Sequence, residues 1–361
     1  MAVVRATLVP RLRCPSCHGS STLTVDVARE DEREIREGAL RCSACGATAA
    51  VERGVAHLLR DAPEHVAREA AGLERFAELM RADGWDRERI LRLPDLEDGY
   101  WYTQATSFRH LLSQVELPDG ARILDVGSNT CWASAALAER GHEVIALDIA
   151  LTEMQGLHTA DWWFEDRGVL FDRILGSMTD IPLADGSLDA VLCCEVLHHN
   201  DADELPRALS EIARVLKPGG QLLAINETLR TVRDRVGNHA AETGADAFDG
   251  YEHAYYAWEY LGHAQDAGLA VRVLEPAYRP FFGERGFTIP PGSSSKGALK
   301  MALRYVAQRR RELRSVALAW TSTVTPRSSL GFVGTKGEPP SAVGRAAATA
   351  RRTLAAGARR R

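Results

Sequence analysis

The sequence predicts an α/β fold in which a mostly parallel sheet alternates with helices. The first observation is a series of apolar runs typical of buried strands, separated by stretches with helical spacing. The second is the stretch from Arg122 to Trp132, where an apolar run ends in Asp125 and a glycine turn leads into a helical pattern. We predict strands near 122–126, 143–148, 171–175, 188–194, 221–226 and 270–275, and helices near 130–140, 152–164, 203–216 and 252–267.

The turn at Gly127 has the form of a ligand-binding loop. A buried strand that enters a helix through a tight glycine turn presents backbone amides to a ligand, commonly a nucleotide. Asp148 ends a second apolar run 21 residues after Gly127, a spacing at which an acidic residue hydrogen-bonds a ribose diol. Strand–glycine–helix turns are common, so a turn without a ligand is the alternative for these two segments alone.

Length and composition limit the classes of protein. The 361 residues suffice for two or more domains, and 45% hydrophobic with 26% charged residues is ordinary for a soluble chain. The net charge of −5 disfavours a surface that coats nucleic acid, although it allows a local basic patch. No apolar run of transmembrane length and no signal-peptide pattern are found, so we expect a cytoplasmic protein without membrane contact. The seven cysteines are then expected to be ligands or buried thiols.

Three further stretches carry a family resemblance. Residues 176–189 lead into an apolar strand that ends at His199, and residues 211–220 end in a Leu-Lys-Pro-Gly-Gly segment. With the first turn, they resemble the class I S-adenosylmethionine (SAM)-dependent methyltransferases, of the methyltransferase type 11 kind, over roughly 118–280 and a last strand near 329–336. The resemblance implies a Rossmann-like class I methyltransferase fold, with a seven-stranded, mostly parallel sheet and an antiparallel last strand beside the sixth.

The same resemblance implies which residues bind SAM. They are Asp125, Gly127, Ser128, Asn129, Asp148, Ile149, Ser177, Met178 and Glu195. The family's Gly-x-Gly-x-Gly pattern is altered here, because Asn129 and Cys131 replace the second and third glycines. Asn tolerates left-handed backbone conformations, so Asn129 is a plausible substitute. Ser177 stands where the family commonly has an Asp that receives the adenine amino group.

His198 and His199 are the candidate catalytic residues. They follow the fourth predicted strand, at the end where the transferred methyl group is expected. Because SAM is an activated donor, the protein mainly orients the reactants and manages the proton of the acceptor, and a histidine suits that role. The alternative is that the pair is not catalytic, as in many members of the family.

Four cysteines near the N-terminus predict a structural zinc site. Cys14 and Cys17 form one Cys-x-x-Cys pair, and Cys42 and Cys45 form another. Two such knuckles supply the four sulfurs of a tetrahedral Zn²⁺ site. Two redox dithiols are the alternative, which the lack of a thioredoxin-like context disfavours. The segment resembles the Trm112-like zinc ribbons, which occur alone and fused to methyltransferases.

The domain organisation follows from these assignments. We expect a polar insertion after strand five and another before the last strand to close over the substrate, together with the aromatic triplet Tyr100 to Tyr102. The expected segments are a zinc ribbon (1–60), a helical linker or lid (61–117), the methyltransferase domain (118–337, with insertions 227–251 and 277–328) and a basic disordered tail (338–361).

Three functions remain open at this point. The first is methyl transfer to a small molecule, such as a natural-product or sugar-bearing intermediate, which the two long insertions favour. The second is methylation of rRNA or tRNA bases, which the arginines between 304 and 314 and the basic tail favour. The overall acidity and the lack of interleaved aromatics count against RNA. The third is a SAM-binding module that transfers no methyl group, which the altered glycine positions allow.

Overall fold

One eleven-stranded sheet organises the protein. The computed structural model describes residues 8–96, 99–232, 253–277, 310–324 and 329–358. The strands are β1 (Leu23–Glu30), β2 (Ile35–Cys42), β3 (Thr48–Glu52), β4 (Val55–His57), β5 (Arg122–Val126), β6 (Glu143–Asp148), β7 (Asp172–Leu175), β8 (Leu188–Cys194), β9 (Leu216–Thr228), β10 (Leu269–Val273) and β11 (Ser329–Lys336).

Helices cover the sheet on both faces. They are α1 (Glu64–Ala82), α2 (Arg87–Leu91), α3 (Gly99–Gln114), α4 (Trp132–Ala138), α5 (Ala160–Asp166), α6 (Glu204–Val215), α7 (Ala257–Asp266), α8 (Arg311–Val324) and α9 (Ala342–Ala358). Two neighbours in β5 show why the middle of this strand is apolar on both faces: Leu124 belongs to one buried cluster and Ile123 to another. A parallel strand with helices on both faces has no solvent side, so its sequence is a continuous apolar run rather than an alternation.

The strand order confirms the predicted fold. Seven strands lie in the order β7-β6-β5-β8-β9-β11-β10, and β11 runs antiparallel between β9 and β10. β5 pairs in parallel with β6 on one side and with β8 on the other. The chain thus reverses its direction of winding at β5, and a crevice forms beyond the carboxyl ends of these strands.

The N-terminal strands extend this same sheet and do not form a separate one. β4 runs parallel to β7, with Ala56 opposite Ile174, and β3, β2 and β1 follow as antiparallel neighbours. A second attachment joins Leu12 to Leu183 in an antiparallel bridge. The segment with the four cysteines is therefore joined to the methyltransferase segment by backbone hydrogen bonds.

A buried ion cluster reinforces that junction. The side chain of Arg173, in β7, is fully buried and donates to the carboxylates of Glu34 at 2.6 Å and Asp161 at 3.0 Å. The carbonyl of Arg53 accepts a third bond from Arg173 at 2.7 Å, and Arg36 binds both carboxylates. Because Glu34 and Arg53 belong to the N-terminal segment, the charges inside the junction compensate each other.

Two predicted elements begin or end elsewhere. The helix expected over 152–164 is a loop and a short 3-10 turn, and α5 begins only at Ala160. Met154 has a left-handed φ of 75°, and a Cβ on Gly156 would lie 2.7 Å from the carbonyl of Ala150, so the chain turns tightly there. The strand predicted at 221–226 is also longer than expected, because the corresponding strand, β9, continues to Thr228. Glu227, assigned to an insertion, lies inside this strand.

The prediction of a disordered tail over 338–361 is wrong for most of that segment, which forms α9. Its small alanine side chains allow close packing against α7. Ala347 is buried, and the backbone of Ala347 lies 3.2 Å from the position that a Cβ on Gly262 of α7 would occupy. Asp266 of α7 accepts from Arg351, so the basic side chains also hold the helix in place. The prediction of disorder rested on composition, which does not reveal how the side chains of α9 fit against α7.

Most of the two insertions that were predicted to act as lids lies outside the residues that the structure describes. The segments concerned are 233–252 and 278–309. Within the described part of the chain, no helix is both long and apolar enough to cross a membrane.

The junction cluster yields a stability prediction. Arg173→Ala removes the fully buried cation of the cluster and leaves Glu34 with Arg36 alone, which should lower the free energy of unfolding by about 3 kcal/mol. Urea denaturation of the full chain measures this. Arg41→Ala removes an exposed partner of Asp26 and should change little. Equal destabilisation by both variants would show that the buried cluster has no special role.

Candidate active site

A cavity of about 570 Å³ lies at the carboxyl ends of β5, β6 and β8. The predicted cofactor residues line it: Asp125, Gly127, Ser128, Asn129, Asp148, Ile149, Ser177, Met178 and Glu195, with His198 and His199 also in the wall. The parallel strand order brings these distant segments to one edge of the sheet. The volume of this cavity is in the usual range for a pocket that holds a cofactor or small ligand.

The loop after β5 is built from left-handed residues. Gly127 has a φ of 66°, and a Cβ there would lie 2.4 Å from Val196, so this position requires glycine for conformation and for space. Asn129 and Cys131 have φ values of 46° and 57°. They therefore adopt the conformation expected of the glycines that they replace, and the loop needs no second glycine to form its turn.

Asp148 closes the loop against β6. Its Oδ2 accepts from the backbone amide of Asn129 at 2.8 Å, and its Oδ1 accepts from the amide of Ala150 at 2.9 Å. Burial raises the pKa of Asp148 to about 6, although the amide of Asn129 offsets part of this cost. Each carboxylate oxygen keeps a further lone pair for a ligand hydroxyl.

Asp125 has a different role, beneath the loop. Its Oδ2 accepts from the hydroxyl of Ser134 at 2.6 Å, at the start of α4. Burial raises the pKa of Asp125 to about 7, because the bond from Ser134 offsets only part of the desolvation. The carboxyl thus ties the end of β5 to the helix that follows the loop.

Gln155 completes the loop and was not identified from the sequence. Its Oε1 accepts from the side-chain amide of Asn129 at 2.7 Å, and its Nε2 donates to the sulfur of Met80 at 2.8 Å. Gln155 therefore connects the cofactor loop to α1. The helix predicted over its position concealed this role, since a residue in a regular helix would not reach Asn129.

The segment after β7 forms a third wall. The hydroxyl of Ser177 accepts from the amide of Thr179 at 3.1 Å and lies 2.8 Å from the hydroxyl of Thr179. The sulfur of Met178 accepts from the side-chain amide of Asn200 at 3.1 Å. Ile149 lies in the same cavity, so these side chains form the slot that the resemblance assigns to adenine.

The two histidines follow β8 in a short 3-10 turn, Leu197–His199. Their rings lie 4.5 Å apart between centroids, and each has a carboxylate partner. Nδ1 of His198 lies 3.0 Å from Oε2 of Glu227, and Nδ1 of His199 lies 2.6 Å from Oε1 of Glu69. The sequence placed both histidines correctly at the strand end but did not identify either partner.

Glu227 organises the histidine turn. It is fully buried, and its carboxylate accepts from the backbone amides of Val196, Leu197 and His198, each at 3.2 Å, as well as facing the ring of His198. One carboxylate thus fixes both the turn and the imidazole. The available signal was the polar ending of an apolar strand, Ile-Asn-Glu at 225–227, which resembles the endings at Asp125 and Asp148.

One face of α1 covers the cavity. His65, Glu69, Phe76 and Met80 line it at helical spacing, and Nε2 of His65 lies 3.1 Å from Oε2 of Glu204. The predicted linker helix therefore lies directly over the site.

The aromatic residues expected near the acceptor divide between the cavity and other contacts. Of the triplet at 100–102, Trp101 lines the cavity, whereas Tyr102 is 55% exposed and the side chain of Tyr100 lies outside the description. Tyr255 donates to the carbonyl of Asn200, and it is not among the described residues of the wall.

The four N-terminal cysteines come together within the N-terminal segment, and they are not among the residues that line the cavity. The sulfurs of Cys14 and Cys45 lie 3.7 Å apart, as do those of Cys17 and Cys42, and all four lie within 4.8 Å of one another. A tetrahedron with Zn–S bonds of about 2.3 Å has edges of about 3.8 Å. The cluster has the dimensions of a four-sulfur metal site.

Comparison with known proteins is consistent with this geometry. Residues 124–224 match the family model described as "Methyltransferase domain". The Cellvibrio japonicus biotin biosynthesis bifunctional protein BioHC is 39% identical over 103 residues, which are 28% of this chain and 19% of that protein. The malonyl-[acyl-carrier protein] O-methyltransferase of Pectobacterium atrosepticum is 32% identical over 126 residues, or 34% and 45% of the two chains.

The similarity covers only a part of this chain and only a part of each relative. The chain spans less than half the length of these two relatives. Among solved structures, the complex of the Haloferax volcanii Trm112 methyltransferase activator with a putative methyltransferase is 20% identical, with a TM-score of 0.44. The match covers 72% of this chain and 97% of that one. Within these bounds, strand order, motifs and family model identify a class I SAM-dependent methyltransferase domain in this chain.

Proposed function

We propose that this protein is a SAM-dependent methyltransferase that acts on a small-molecule acceptor. The observation that carries the proposal is the shared cavity, which joins the loop around Asp148 to the histidine turn at His198 and His199. A cofactor at the loop and an acceptor at the histidines would lie within one enclosed volume. The relatives' names agree with a small acceptor group, since one of them is a malonyl-[acyl-carrier protein] O-methyltransferase.

The residues of the cofactor half fit SAM. When bound, SAM supplies a methyl group on a sulfonium, which needs no further activation. The free lone pairs of Asp148 would accept the ribose hydroxyls, and the slot at Ile149, Ser177 and Met178 would hold the adenine. The turn at Gly127 brings the loop backbone close to the methionine moiety. Together these contacts would fix the donor in line with the acceptor.

His198 is the better candidate for the general base. Its Nδ1 faces Glu227, which orients the ring and leaves Nε2 as the remaining site for a proton from the acceptor. Glu227 acts through His198 as a positioning residue, as the carboxylate does in a histidine–carboxylate pair. His199 is instead engaged by Glu69 of α1, which assigns it to holding the roof of the cavity.

The charge distribution favours a small molecule over RNA. Three of the basic side chains that suggested RNA make internal ion pairs: Arg314 with Glu275, and Arg351 and Arg352 with Asp266. An RNA-binding surface needs arginines and lysines that are available to phosphates. A non-catalytic module would not need the buried carboxylate that holds His198 at the cavity wall.

We further propose a structural Zn²⁺ held by Cys14, Cys17, Cys42 and Cys45. The sulfur separations support it, and so do the two turns, in which the amides of His18 and Gly46 donate to the carbonyls of Cys14 and Cys42. All seven cysteines are free thiols, so no disulfide competes for these sulfurs. The ion would stabilise the N-terminal segment and would take no part in methyl transfer.

SAM binding should depend on Asp148. Asp148→Ala removes two charge-assisted hydrogen bonds to the ribose and should weaken binding at least about tenfold in calorimetry. Wild-type affinity should fall as the pH is lowered through about 6, because the free carboxyl then protonates, and the variant should lack this dependence. Asp166→Ala, at an exposed carboxylate of α5, is the control. Unchanged affinity in Asp148→Ala would refute the assigned cofactor site.

Replacing His198 should lower the rate of methyl transfer but should not lower the affinity for SAM. With labelled SAM and a cell extract separated into RNA and metabolite fractions, wild type should label the metabolites. His198→Gln should lower the rate about 100-fold or more with unchanged SAM affinity. Glu227→Gln should lower it less and shift its pH profile, which a purely structural residue would not do. Labelling of RNA alone would exclude the small-molecule function.

Purified protein should contain one zinc per chain. Cys42→Ser with Cys45→Ser removes half of the ligands, so metal analysis should find the zinc lost and thermal unfolding should occur at a lower temperature. Ala44→Ser changes the same turn without removing a sulfur and should retain the metal. Full zinc retention by the double variant would show that the metal is bound elsewhere.

A further inference from the structure

The described part of the cavity wall is rich in acidic side chains. Among the lining residues that the structure describes, none is Lys or Arg. Six are acidic: Glu69, Asp83, Asp125, Asp148, Glu195 and Glu204. Arginine and lysine are the side chains best suited to bind carboxylates and phosphates, so the described wall offers an anionic group no permanently charged side-chain partner.

The acids divide between the two halves of the cavity. Asp125 and Asp148 belong to the cofactor loop, where Ser134 and two backbone amides already bind them. Glu69 and Glu204 lie on the acceptor side, beside the histidine turn, and each is paired with a histidine. Glu69 and Glu204 are thus the carboxylates that an acceptor group beside the histidine turn would meet.

Aromatic rings complete the wall. Trp85 and Trp101 lie 5.8 Å apart between centroids at an angle of 54°, and Phe76 and Trp132 also line the cavity. The guanidinium of Arg89 lies 4.0 Å from the ring of Trp85 but is not part of the wall. Aromatic faces attract cations, and they also pack well against a flat apolar body.

We propose that the acceptor carries an amine and no anionic group, with an aromatic or aliphatic body of limited size. Glu69 and Glu204 attract the amine, and the tryptophans hold the body. An acceptor carboxylate or phosphate would lie beside these two carboxylates, with no Lys or Arg among the described lining residues to compensate it, which opposes its binding. This inference rests on the proposed methyltransferase function and narrows its acceptor.

Two probes of opposite charge test this selectivity. Tryptamine and indole-3-propionate share the indole ring and a two-carbon chain, and differ in carrying an ammonium or a carboxylate. The full chain is first titrated with S-adenosylhomocysteine by calorimetry, and each probe is then titrated into the saturated protein. We expect tryptamine to bind at least about tenfold more tightly than indole-3-propionate. Failure to bind S-adenosylhomocysteine would refute the proposed function itself, so the two failures are distinguishable.

Matched variants assign the selectivity to the carboxylates. Glu69→Gln with Glu204→Gln should bring the ratio of the two affinities close to one, and circular dichroism should show that this variant is folded as wild type is. Glu74→Gln, on the exposed side of the same helix, should leave the ratio as it is in wild type. Equal or tighter binding of indole-3-propionate, no binding of tryptamine, or an unchanged ratio in the double variant would each overturn the proposal.

Discussion

The parallel pairing of β6, β5, β8 and β9 is the constraint on which the rest of the structure depends. Parallel strands end at one edge of the sheet, so the acids that terminate them meet there although they are far apart in sequence. Asp148 ends β6, Glu195 follows β8, and Glu227 lies next to the end of β9. Asp148 and Glu227 then accept hydrogen bonds from backbone amides beside the crevice. The site is therefore a property of the strand order more than of any one loop.

Much of this arrangement was accessible from the sequence. The apolar residues that precede Asp125 and Asp148 do not alternate with polar ones, because both faces of a parallel strand are buried, and the ends of these strands locate the glycine turn and its acidic partner. The left-handed conformation of Asn129 also follows from residue chemistry. These predictions depend on local periodicity and on the intrinsic preferences of single residues, which the sequence states directly.

The missed features depend on contacts between distant segments. Gln155 was placed in a helix because its neighbours have helical spacing, yet its bonds to Asn129 and Met80 favour a loop. Glu227 was placed in an insertion because polar residues follow it, whereas the buried amides of the histidine turn require its carboxylate in the strand. The order of α9 arises from its fit to Gly262. Composition does not encode such complementarity.

The attachment of β4 to β7 also determines which strand of the sheet is left unpaired. In its absence β7, a short and mostly buried strand, would present its backbone to solvent and to other chains. With the N-terminal strands in place, the outermost strand on that side is β1, which is interrupted by register shifts near Arg29 and has mostly exposed residues, several of them charged. Irregular, charged edge strands resist pairing with neighbouring molecules. The N-terminal segment thus gives the sheet an edge that does not promote self-association.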